Sequence, residues 1–140
     1  MIRKSLGAAG VFLVMLILAS AAVTPAQAQV LLDKYIADAK AEPGYSGPSV
    51  ERGRAFFFAS HAGGKADTPS CTSCHAKDLT RPGQTRAGKP IEPMALSVVP
   101  TRYTDPANVE KWFKRNCQDV LGRECSAAEK ADVLTFLLGL

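Results

Sequence analysis

The chain has 140 residues, with 17 Lys and Arg against 13 Asp and Glu, a formal net charge of +4. No basic run exceeds two residues and no base-reading motif occurs, so nucleic-acid binding is excluded. The length suits one small domain with a modest core, and four cysteines in so short a chain make compartment and cofactor the first questions.

Residues 1–28, MIRKSLGAAGVFLVMLILASAAVTPAQA, open with Arg3 and Lys4 and continue through an uncharged apolar run from Leu6 to Val23. Ala26-Gln27-Ala28 is a small-x-small cleavage site behind the helix-breaking Pro25, so the segment reads as a secretory signal peptide cut after Ala28. The apolar run is just long enough for an uncleaved membrane anchor, but Pro25 and the cleavage site favour removal. The expected mature domain is residues 29–140, periplasmic and not membrane-spanning. Loss of Arg3 and Lys4 lowers its net charge to +2.

A short amphipathic helix is predicted from Val30 to Ala41, with Leu32, Ile36 and Ala39 on one face, ended by Pro43-Gly44. A second runs from Val50 to about Ser60, capped by Ser49, with Gly53 and Phe57 one turn apart. Gly63-Gly64 breaks the chain. Residues 65–101 are rich in Pro, Gly and Thr, without a sustained period or strand-like alternation; a loop this long in a small domain is expected to wrap around something. Asp105-Pro106 supplies an N-cap and a first-turn proline for a third helix, whose stripe of Val109, Trp112 and Phe113 extends to about Asn116. Ser126 and Glu129 form a capping box opening a last helix to Leu138. The expected class is all-α with long loops.

Cys71-Thr-Ser-Cys74-His75 is the C-x-x-C-H signature of covalent c-type haem attachment. Both thiols add to the haem vinyl groups, and the adjacent His75 then lies beneath the iron as proximal ligand, which requires a neutral imidazole. A redox-active C-x-x-C lacks its βαβ context here, and a zinc site would need two more ligands that Cys117 and Cys125 do not supply at zinc spacing. One motif implies one haem c. With a Gly-x-x-x-Phe helix before it and a capped helix at the end, residues 49–140 resemble class I cytochrome c, in which the first and last helices cross where a glycine, here Gly53, lets the backbones approach.

Function turns on the sixth iron ligand. Met94 lies 19 residues after His75, short for a chain that must pass round the haem edge, and the plainer reading is a loop or core side chain filling a gap. If it ligates, the protein is an ordinary Met/His electron-transfer cytochrome. His61, beside Gly63-Gly64, is the other histidine; a bis-His site competes with a solvated loop position. Asn116 lies 41 residues after His75, a separation that can bring it over the opposite haem face; the plainer reading is a helix C-cap. Cys117 and Cys125, in an oxidising compartment, are expected to pair and close a small loop.

The stretches PSCTSCHAKDLTRPGQTRAGKPIEP and VEKWFKRNCQDVLGRECSAAEKADVLTFL resemble the SHP family of oxygen-binding monohaem c-type cytochromes, over nearly the whole mature chain. The resemblance implies that Asn116 is the sixth ligand, that Cys117 and Cys125 form a disulfide, and that the ligand leaves on reduction so that O2, NO or CO can bind. It also implies a dihaem cytochrome c as electron donor. Lys77, Arg81, Arg86 and Lys89 after the haem motif, and Lys111, Lys114, Arg115 and Arg123 around Asn116, would steer an acidic redox partner if they border the haem edge. Three function classes follow: a gas-binding redox carrier, an oxygen- or NO-reactive haem oxidoreductase, and a gas sensor docking to a signalling partner.

Overall fold

The computed structural model describes residues 26–140; the charged start and apolar run of the expected signal peptide lie outside the described residues. Four helices follow in order, α1 (Ala26–Ala39), α2 (Val50–Phe58), α3 (Pro106–Leu121) and α4 (Ala127–Leu138). A 3₁₀ turn spans Cys71–Ser73. A two-residue antiparallel pair, β1 (Gly83–Gln84) with β2 (Pro90–Ile91), places Gly83 opposite Ile91. None of these helices is long and apolar enough to cross a membrane.

The most apolar helix, α4, is the centre of the core. Its Ala131, Val133, Leu134, Phe136 and Leu137 are buried, Leu134 completely. The helix packs against both α1 and α2. Within the expected mature domain α1 contributes Leu31, Leu32, Tyr35 and Ala39; the helix itself begins at Ala26, before the expected Val30 start, and Ala28, also buried, is the last residue ahead of the expected cut. α2 crosses α4 at Gly53, where any Cβ would overlap the Asp132 carbonyl and sit 2.9 Å from Val133 N. The close approach expected of Gly53 is therefore present, and it lets Phe57 reach Phe136 at 6.1 Å between ring centroids.

Polar groups lock the same crossing. Arg52 donates from Nε and Nη2 to the two carboxylate oxygens of Asp132 at 2.7 and 2.8 Å, and the Ser49 backbone N–H adds a bond at 2.7 Å. Ser49 caps α2 as expected. Asp105 caps α3 ahead of Pro106, and Ser126 with Glu129 forms the capping box of α4. Glu42, from the connector after α1, accepts from Ser126 Oγ at 2.9 Å and Ala128 N at 3.1 Å. It adds negative charge at the positive end of the α4 dipole.

Three details differ from the sequence reading. α3 runs on to Leu121 rather than stopping near Asn116, because Cys117 and Val120 continue its buried face and the first residue able to end it cheaply is Gly122, at φ 71°. Asn116 is thus inside the helix and caps nothing. The segment 65–101 contains a short β pair, held by two register partners rather than by alternation that a sequence would display. Gly63 and Gly64 do more than interrupt: a Cβ on Gly64 would strike the Asp119 and Val120 backbone, so their smallness lets this loop press on the end of α3.

Candidate metal centre

Ser70 caps the turn that carries the Cys71 to His75 motif, accepting from Thr72 N at 3.2 Å while Ser73 Oγ accepts from Ser70 N at 3.1 Å. The His75 backbone N–H donates to the Cys71 carbonyl at 3.0 Å, which winds Cys71, Cys74 and His75 into one turn. Both cysteines are free and half-buried. β1 passes over the turn: Gln84 N donates to the Cys74 carbonyl at 2.8 Å, and a Cβ at Gly83 would overlap that carbonyl.

Burial pushes the Cys71 thiol up to about 11. It lowers His75 to about 4, with the Arg102 charge acting in the same direction. His75 is therefore a neutral imidazole at any physiological pH. Its Nδ1 is buried and has no hydrogen-bond partner, and the Phe57 ring lies 5.8 Å from its ring. Two free thiols and a neutral imidazole with an unsatisfied nitrogen, gathered in one turn under an aromatic lid, fit a covalently attached haem. They do not fit a metal ion held by protein alone, since no cluster of three ligating side chains occurs among the described residues.

Asn116 is half-buried in α3, and its neighbour Cys117 is buried. The sulfurs of Cys117 and Cys125 lie at bonding distance, with Cα atoms 5.5 Å apart. The end of α3 is gripped by the loop preceding the haem motif. Lys65 N and Thr68 Oγ1 both donate to the Asp119 carbonyl, at 2.7 and 3.1 Å, and Thr68 is buried. One turn before Asn116, Trp112 is 44% exposed, with Lys111 Nζ and the Arg115 guanidinium 5.5 and 5.2 Å from its ring centroid.

The other ligand candidates have different neighbours. Met94 Sδ lies 3.0 Å from Arg102 Nη2, and its carbonyl accepts from Tyr103 Oη at 2.7 Å. His61 Nε2 is 2.9 Å from the Phe56 carbonyl; as a donor there it has no lone pair on that nitrogen for iron. The eight basic residues read as a steering surface are all exposed, but Arg86, Lys114 and Arg123 pair with Asp67, Glu124 and Glu129. Sequence reasoning missed Thr68, Glu110 and Arg102, single polar residues in loops or on a helix face that acquire roles only by contact.

Comparison with known proteins agrees with this geometry. Residues 43–137 match a family described as a domain of unknown function, DUF1924. The chain is 59% identical over 88 residues to the cytochrome c-type protein SHP of Cereibacter sphaeroides, covering 63% of this chain and 68% of that one. Among solved structures, that of oxidized SHP, described as an oxygen-binding cytochrome c, aligns with a TM-score of 0.75 at 50% identity, over 81% of this chain and 96% of its own. The solution structure of Methylophilus methylotrophus cytochrome c'', whose description concerns haem-ligand detachment, aligns with a TM-score of 0.64 at 35% identity, over 81% and 93%.

Proposed function

Because this chain belongs to the SHP family of c-type cytochromes, with the cytochrome c fold and one covalent haem c, we propose that it is a periplasmic redox protein in which Asn116 is a displaceable axial ligand opposite His75. The observation that carries this reading is the setting of Asn116. It is a half-buried carboxamide inside a helix, next to the Cys117–Cys125 contact and close to the end gripped by Thr68 and Lys65.

Haem, when attached at Cys71 and Cys74, supplies a one-electron couple and, when ferrous, affinity for O2, NO and CO. His75 offers a lone pair that burial keeps free of protons. Asn116 offers an amide oxygen, neutral and weaker than imidazole or thioether, which suits ferric better than ferrous iron. Opposite a ferrous iron the Asn116 side chain would be held less tightly, and its N–H group would then be available as a hydrogen-bond donor to a bound gas. A Cys117–Cys125 disulfide holds the backbone of α3 in place, so that withdrawal is a side-chain event. Release of the presequence after Ala28 and export account for an oxidising setting in which that bond persists. Lys111, Arg115 and Trp112 present a cationic, aromatic face one turn from Asn116, suited to an acidic electron donor such as a dihaem cytochrome c.

Absorption spectra of the purified holoprotein test the reading. The ferric form should be six-coordinate and low-spin, and the ferrous form high-spin and altered by O2 and CO. A low-spin ferrous spectrum indifferent to CO would overturn it.

A further inference from the structure

Arg102 lies in the loop leading to α3, with only 16% of its side chain exposed. A guanidinium carries five N–H donors and keeps its charge at any physiological pH. Among the described residues it meets only weak or neutral partners close by, the neutral Tyr103 hydroxyl among them. Nη2 donates to the Met94 thioether, a weak acceptor, at 3.0 Å. The Glu92 carboxylate is 3.9 Å from Nη1, outside hydrogen-bond range, and 76% exposed. A permanent charge this deep is costly unless an anion meets it.

The loop that bears Arg102 is tied to the haem motif. Met94 N and Ala95 N both donate to the Leu79 carbonyl, at 2.9 and 3.0 Å, four residues beyond His75. Tyr103 Oη fixes the Met94 carbonyl from the other side. Haem brings two carboxylates of its own, on flexible propionate arms at the ring edge, and each needs a cation, a hydrogen-bond donor or water.

We propose that Arg102 is a haem-binding residue, its guanidinium forming a charge-assisted, fork-like bond with a propionate carboxylate of the haem attached at Cys71 and Cys74. Met94 is then the apolar backing that keeps the guanidinium aimed, and not an iron ligand. The fork geometry matches a carboxylate in two parallel bonds, which an ammonium cannot reproduce. The competing assignment is a plain ion pair between Arg102 and Glu92.

Three holoprotein variants separate the two assignments, read by redox titration and by redox-difference infrared spectra in the carboxylate region. Arg102→Gln removes a positive charge near the iron and should lower the reduction potential and shift the carboxylate bands. Arg102→Lys should keep the potential close to wild type yet still shift the bands. Glu92→Gln should change neither. The proposal is overturned if Glu92→Gln reproduces the Arg102→Gln shift, or if Arg102→Gln leaves both potential and bands as in wild type. Should Arg102→Gln fail to fold, unshifted carboxylate bands in Arg102→Lys overturn it equally.

Discussion

Tyr35 Oη donates to Glu110 Oε2 at 2.5 Å, joining α1 to α3 across 75 residues of sequence. Lys130 of α4 donates to the other oxygen at 2.5 Å, so one carboxylate ties three helices together. Both donors are buried. Burial works against charge on Glu110, but the bonds from Lys130 and Tyr35 outweigh it and hold the carboxyl below its usual range. A group depressed in this way contributes stability that is complete above its unfolded value near 4.5. That contribution is lost as pH falls through the lower folded value.

Glu110→Gln should therefore flatten the acid limb of stability. Urea midpoints between pH 6 and 3 should fall less steeply in the variant than in wild type. At pH 7 the variant should be weaker by about 1 kcal/mol, a charged hydrogen bond discounted for solvent screening because the carboxylate is 47% exposed. Parallel pH profiles would show that this junction does not carry the acid sensitivity.

Gly53→Ala addresses the helix crossing. The new methyl would meet the Asp132 carbonyl, which is backbone and cannot rotate aside. Separating α2 from α4 also strains the Arg52–Asp132 bonds. A loss of about 1–3 kcal/mol is expected from overpacking. Thermal unfolding of the holoprotein would measure it; a wild-type midpoint would mean that the helices part without cost.

Cys117 and Cys125 should resist alkylation in protein isolated without reductant, as mass spectrometry would show. The chain-entropy model gives a ring this small about 2–3 kcal/mol. Replacing both by serine should cost that stability and should also broaden or mix the ferric spin states, because α3 loses one of the supports beside Asn116. Two alkylated thiols in the native protein would refute the pairing.

Asn116→Ala should convert the ferric form to five-coordinate or water-ligated high-spin iron and leave the ferrous spectrum nearly unchanged. CO should bind as fast or faster, since nothing competes for the position. O2 should leave up to about tenfold faster, the worth of one hydrogen bond of roughly 0.5–1.5 kcal/mol. Met94→Leu should do none of this. Loss of a methionine-type charge-transfer band in Met94→Leu, with a wild-type ferric spectrum in Asn116→Ala, would make the protein an ordinary Met/His electron carrier.

Much of this was local chemistry and so legible in the chain. Cys71, Cys74 and His75 declare their purpose by spacing alone, because the reacting atoms fall within one turn. Ser49, Asp105 and Ser126 announce helix starts, since a cap is satisfied by N–H groups two or three residues away. The resemblance of two stretches, one around the haem motif and one around Asn116, identified the family. What the chain could not reveal depends on partners far off in sequence. The third helix passes Asn116 because its buried face continues through Cys117 and Val120 to Gly122. Gly64 matters because the Asp119 carbonyl stands against it. Glu110 acquires its role only when Tyr35 and Lys130 arrive from two other helices. Arg102 reads as one more surface cation until the fold buries it and leaves it short of an anion. Local order is decided by neighbours in the chain; burial, close approach and charge pairing are decided by whichever segments the packing of α4 draws together.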